Sequence, residues 1–77
     1  MKYSEFKKYL HGKHIKLKDF AEWLGITYTA LTYKFKGEQN FTVKQIAQIA
    51  IKFQFTNEQI VEYFFKEGGD TWSLEND

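Results

Sequence analysis

Between Leu24 and Gly37 the chain reads LGITYTALTYKFKG, and its polar side chains, Thr27, Tyr28, Thr29, Thr32, Tyr33, Lys34 and Lys36, all end in a hydroxyl or an ammonium. Groups of this kind can recognise a partner. A hydroxyl donates and accepts hydrogen bonds, and a lysine neutralises an anion. The surrounding charge extends the theme. Residues 1–52 hold ten lysines against four acids, and residues 53–77 hold one lysine against six, so a formal net charge of +1 conceals a basic body and an acidic end. That division points the body toward an anionic partner.

Bond-making chemistry finds no support. There is no cysteine, which removes disulfides, thiolate metal sites and thiol nucleophiles. His11 and His14 stand three apart but have no cysteine or acid pair to complete a metal site. His14 fits a turn instead, where histidine tolerates a positive φ. No glycine-rich phosphate loop, Ser/His/Asp set or paired-carboxylate pocket is legible, so no enzyme, cofactor or small-molecule ligand is expected.

The elements that must position these residues are helical. Seventy-seven residues suffice for one small domain whose core comes from packing, and eight Phe, five Tyr and two Trp supply it. Proline is absent and glycine occurs only at positions 12, 25, 37, 68 and 69, where it punctuates a helical chain. Apolar spacing predicts helices over 3–11, 17–24, 28–36, 43–53 and 57–66. Thr27 is a candidate N-cap, and Thr42-x-x-Gln45 and Thr56-x-x-Gln59 read as capping boxes. Val43, Ile46, Ala47, Ile49, Ala50 and Phe53 give the fourth helix a wide apolar face suited to the centre of a bundle. Trp23 falls off the apolar face of the second helix, which leaves packing on the first helix or a partner surface. The expected fold class is all-α, a compact five-helix domain over 1–67 followed by an acidic tail at 68–77. No apolar run approaches a membrane span, and the N-terminus lacks the apolar region of a signal peptide, so a cytoplasmic location is expected.

Two short helices crossing through a tight turn need a small residue at the crossing and a residue at ease with positive φ in the turn; Ala21 and Gly25 meet those needs. With Phe20, Leu24, Ile26 and Leu31 directed inward, this is a helix-turn-helix pattern. The stretch from Phe20-Ala21 through Leu24-Gly25-Ile26-Thr27 and Leu31 to Gly37, then Phe41-Thr42 and Tyr63-Phe64-Phe65, resembles the lambda repressor and Cro family. It is most similar to the short single-domain phage regulators of Gram-positive hosts, and the likeness spans roughly residues 15–65.

The resemblance implies a lambda-repressor-like fold and a DNA-binding transcriptional regulator that acts by occupying an operator in a bacterial host, nucleoid-associated when bound. Thr27, Tyr28, Thr29, Thr32, Tyr33 and Lys36 match positions that face base edges from a recognition helix. Lys16, Leu17 and Lys18, then Lys34, Asn40, Thr42 and Lys44, match phosphate contacts. Relatives usually bind as dimers on half-sites about 34 Å apart. A homodimer, at least on DNA, would draw on Tyr63, Phe64, Phe65 and Trp72. Two departures stand out. Leu17 replaces a glutamine common in relatives, so only its backbone N–H could serve, and the absence of arginine removes the commonest bidentate reader of guanine. The alternative is the same scaffold used as a protein-binding module, an antirepressor or an inhibitor of a host or phage protein.

Overall fold

The computed structural model describes residues 3–65. Among them the chain forms α1 (Ser4–Gly12), α2 (Leu17–Leu24), α3 (Tyr28–Lys36), α4 (Val43–Phe53) and α5 (Asn57–Ile60), which runs directly into a π-helical turn, Val61–Phe65. No strand occurs among the described residues. The expected tail at 68–77 and Lys66 lie outside them.

The bounds of α2, α3 and α4 fall where the sequence places them, and local chemistry fixes both ends of α3 and α4 and the far end of α2. Thr27, Thr42 and Thr56 each accept at Oγ1 the N–H three residues on, from Ala30, Gln45 and Gln59. Gln45 and Gln59 reach back to the N–H groups of Thr42 and Thr56, so both capping boxes form. At the other ends a left-handed residue turns the chain, and the next N–H reaches back to close the helix. Ile15 donates to the Leu10 carbonyl, Ile26 to Ala21, Glu38 to Tyr33 and Phe55 to Ala50, at 2.9–3.0 Å. Gly25 and Gly37 fill the left-handed position in two of these closures, whereas His14 and Gln54 fill it in the others. A side chain there costs about 1–2 kcal/mol. Ile15 and Phe55, the residues that follow, both pack against the core and offset that cost.

The first and last elements differ from the sequence reading for tertiary reasons. Tyr3, expected inside the first helix, lies before it in the left-handed region at φ 62°. Its ring enters the core 4.9 Å from that of Phe41 and 5.9 Å from that of Phe64. Its hydroxyl accepts the buried Phe41 N–H at 3.2 Å. The fifth helix is α-helical only to Ile60, then widens into the π turn. In that wider turn the consecutive residues Tyr63, Phe64 and Phe65 all reach the core.

The core is aromatic and centred on α1. Phe6 is fully buried, and its ring meets those of Phe20, Phe35, Phe41, Phe55, Tyr63 and Phe64 at centroid distances of 4.9–6.3 Å. Leu10, Leu31 and Ile49 complete it. Ala21 is buried, as the close packing of α2 on α3 requires. The fourth helix departs from expectation on one side. Ile46 and Ile49 are buried, but Val43, Ala47 and Ile51 face solvent.

A β-carbon added at Gly25 would meet no atom within 4 Å, and the residue sits at φ 86°. Gly25→Ala is therefore expected to cost about 1–2 kcal/mol through backbone strain alone. Gln54→Gly, at φ 58°, should gain up to about 1 kcal/mol by relieving the same strain. Urea midpoints compared at equal m-value check both signs.

Candidate nucleic-acid interface

The two sides of α3 have opposite character. Leu31 and Phe35 are buried, whereas Tyr28 and Tyr33 are 53% and 39% exposed, in the company of Thr27, Thr29 and Lys36, all exposed. The expected outward direction of the two tyrosines is thus found. Their hydroxyl-bearing neighbours are not equivalent. Thr27 spends an acceptor lone pair on the Ala30 N–H and keeps its proton for donation. Thr32 is half-buried and donates its proton to the Thr29 carbonyl at 2.7 Å, which leaves it an acceptor. The Lys36 ammonium lies 5.8 Å from the Tyr33 ring centroid, so cation and ring present themselves together.

Beside Tyr28 the surface opens into a cleft of about 940 Å³ between the end of α1, the turn after it and the first turn of α2. Its lining, mostly apolar in area, combines Gly12, Ile15, Leu17 and Tyr28 with Lys7, His11, His14, Lys16 and Lys18 and holds no acid, although Asp19 stands in the same first turn of α2. The left-handed turn at His14 and the extended backbone of Lys16 bend the chain so that Lys16 and Lys18 flank the start of α2. No side chain caps that helix, so its first N–H groups, Leu17 included, remain available to an acceptor. The Leu17 side chain instead packs against the core.

Lys16, Leu17 and Lys18 are expected here from the sequence, whereas Lys7, His11 and His14 are not. The basic run HGKHIKLK held the signal, and only the turn at His14 folds its two ends around one hollow. On the opposite flank, Thr42 commits its backbone N–H and an Oγ1 lone pair to its capping box. Within that first turn of α4, Lys44 is exposed. Asn40 is exposed in the preceding loop.

Lys34 is the clearest correction to the phosphate set. It is only 6% exposed, its Nζ donates to the Asn40 carbonyl at 3.0 Å, and the ammonium lies 5.5 Å from the Phe41 ring centroid. Burial lowers its pKa from the ordinary lysine value, because removing the charged form from water disfavours it. Lys34 therefore braces the α3–α4 loop rather than offering charge to a ligand.

Other expected roles shift as well. Phe64 is 1% exposed, and Tyr63 and Phe65 are half-buried and packed on the core. Phe64 is thereby closed to a dimer contact, whereas Tyr63 and Phe65 keep part of their surface; Trp72 lies outside the described residues. Trp23, 41% exposed, packs beside Phe20 and under the Lys52 ammonium of α4, 4.8 Å from its ring centroid. Among the described residues no cluster of His, Cys, Asp or Glu could hold a metal ion, and no helix is long and apolar enough to cross a membrane.

Lys34→Met keeps the packed stem and removes the ammonium, so the loss of one hydrogen bond is set against the end of a buried charge. Stability is expected to change by less than about 1 kcal/mol. Lys34→Ala also removes buried methylenes and should cost about 2 kcal/mol. Urea titration of both variants distinguishes a packed brace from a solvated lysine, for which the two changes would be alike. Comparison with protein-family models, curated proteins and solved structures returned no match.

Proposed function

We propose that this chain binds double-stranded DNA sequence-specifically and acts as a small transcriptional regulator of the Cro-like phage type. In this reading α2, the Gly25 turn and α3 form a helix-turn-helix, with α3 as the recognition helix. The observation that carries the reading is the acid-free cleft of Lys7, His11, His14, Lys16 and Lys18 that meets the exposed end of α3 at Tyr28. A phosphodiester seated at the uncapped start of α2 would lie between Lys16 and Lys18. That contact would hold α3 against a groove.

The division of labour follows from the side chains. Thr27, Tyr28, Thr29, Thr32, Tyr33 and Lys36 would read base edges and thymine methyl groups, while Lys16, the Leu17 N–H, Lys18, Asn40, Thr42 and Lys44 would hold phosphates. With no arginine in the chain, hydroxyl contacts and DNA shape must supply discrimination. Lysines make the affinity strongly salt-dependent. Regulation would be steric, by occupying an operator. The second reading, a protein-binding module that inhibits or displaces another protein, draws on the missing arginine and on exposed Trp23, Val43 and Ile51.

A mobility-shift titration over a range of salt, with duplex from the gene's own upstream region beside a random duplex, tests the choice. Lys16→Ala and Lys18→Ala are each expected to weaken binding to all sequences and to reduce the log–log salt slope by about one. Lys34→Met should leave that slope unchanged. Tyr28→Ala and Tyr33→Ala should alter sequence preference by about 1–3 kcal/mol at the bases they face. Absence of salt-dependent retention on either duplex would favour the protein-binding module.

A further inference from the structure

The cleft beside Tyr28 is larger and more apolar than a phosphate contact needs. It measures about 940 Å³, within the roughly 300–1,000 Å³ of pockets that take small organic molecules. Ile15 and Leu17, half-buried and packed against the core, give it apolar surface. The exposed ring of Tyr28 stands on the side where α3 begins. A phosphodiester is compact and strongly hydrated, so the ammonium groups alone would hold it and the apolar lining would stay wet. A concave site that joins apolar lining to a few charged groups suits a ligand with an apolar body and one polar head.

Charge decides what that head is. Five basic side chains line the cleft and no acid does, Asp19 lying outside the lining. Two of the five are the cations on offer. Lys7 carries its ammonium over the Phe35 ring, 5.6 Å from the centroid, whereas Lys16 and Lys18 are exposed and pair with no acid among the described residues. We infer that the cleft is a binding site for a small amphipathic organic anion, its ring-sized apolar body against Ile15, Leu17 and Tyr28 and its charged head at Lys16 and Lys18. A neutral ligand leaves the two ammonium groups unanswered, and a bare anion leaves the apolar lining wet.

The binding step needs no DNA, but its consequence for regulation rests on the DNA-binding reading. The head takes the place at Lys16 and Lys18 that this reading gives to a phosphodiester, and the body covers Tyr28. Anion and duplex therefore exclude each other, each weakening the other's binding, and the anion acts as an effector that releases the operator. Nothing in the sequence announces a small-molecule site. The run HGKHIKLK lines a cleft only because the left-handed turn at His14 brings its two ends around one hollow.

Amide chemical shifts of the full chain, titrated at constant ionic strength with three probes, test the inference. Cinnamate carries both halves of the ligand, cinnamyl alcohol the body alone and acetate the charge alone. Cinnamate is expected to give saturable shifts at residues 11–18 and 28, and to bind at least about tenfold tighter than either of the others. Lys16→Gln and Lys18→Gln together should weaken it by about fivefold with an unchanged circular dichroism spectrum. Lys8→Gln, which removes an exposed lysine outside the lining, should not. Absence of cinnamate shifts up to its solubility limit, equal binding of the alcohol or of acetate, or a lysine double variant that binds like the parent overturns the proposal. In a mobility shift at matched ionic strength, cinnamate and not acetate is expected to lower duplex retention. A duplex fully retained while the cleft is saturated overturns the effector role. A duplex that never binds, beside the expected cinnamate shifts, removes the DNA-binding reading and supports the site.

Discussion

The burial of Phe6 is the constraint on which the rest of the structure depends. Its ring lies among rings from α2, α3, the α3–α4 loop, the loop before α5 and the π turn. A chain of this length buries a modest share of its surface and, without cysteine, has no disulfide to compensate, so a few large aromatics must carry most of the packing. Once Phe35 and Leu31 are committed to that cluster, the opposite side of α3 has only one direction available. The outward face of Tyr28, Thr29, Tyr33 and Lys36 is a consequence of the core.

The same constraint separates what the sequence discloses from what it hides. The end of α2, both ends of α3 and the start of α4 depend on hydrogen bonds spanning three to five residues, at Gly25, Thr27, Gly37 and Thr42, and such signals are legible locally. Tyr3, the π turn and Lys34 answer instead to distant residues. Tyr3 leaves the helix because its hydroxyl and ring are needed at Phe41, thirty-eight residues away. Lys34 is buried because the loop folds a carbonyl and the ring of Phe41 over it, and nothing in a run of basic and aromatic residues distinguishes a brace from a free charge. The aromatics of the π turn, Tyr63, Phe64 and Phe65, mislead for the opposite reason. Their number suggested a surplus, yet a core centred on Phe6 uses them. The apolar excess lies instead on α4, where helical spacing alone could not tell which apolar positions would meet the core.

Electrostatics and packing thus converge on one end of the molecule. The His14 turn, itself a strained closure, folds the basic run after α1 against the start of α2, and α3 begins beside it at Tyr28. In the proposed reading, the uncapped helix start, the flanking lysines and the exposed aromatic face would together receive a polyanion that also has edges to read. The absence of arginine narrows the chemistry of that reading to hydroxyls, methyl contacts and lysine.

Amide chemical-shift mapping of the isotope-labelled chain with duplex DNA, at low and then raised salt, locates any contact surface residue by residue. Shifts are expected to concentrate at Lys16–Lys18 and along residues 27–36, with smaller ones at Asn40 and Lys44, all reversed by salt. Shifts centred on α5, or a spectrum unmoved by duplex at low salt, would contradict the DNA-binding reading.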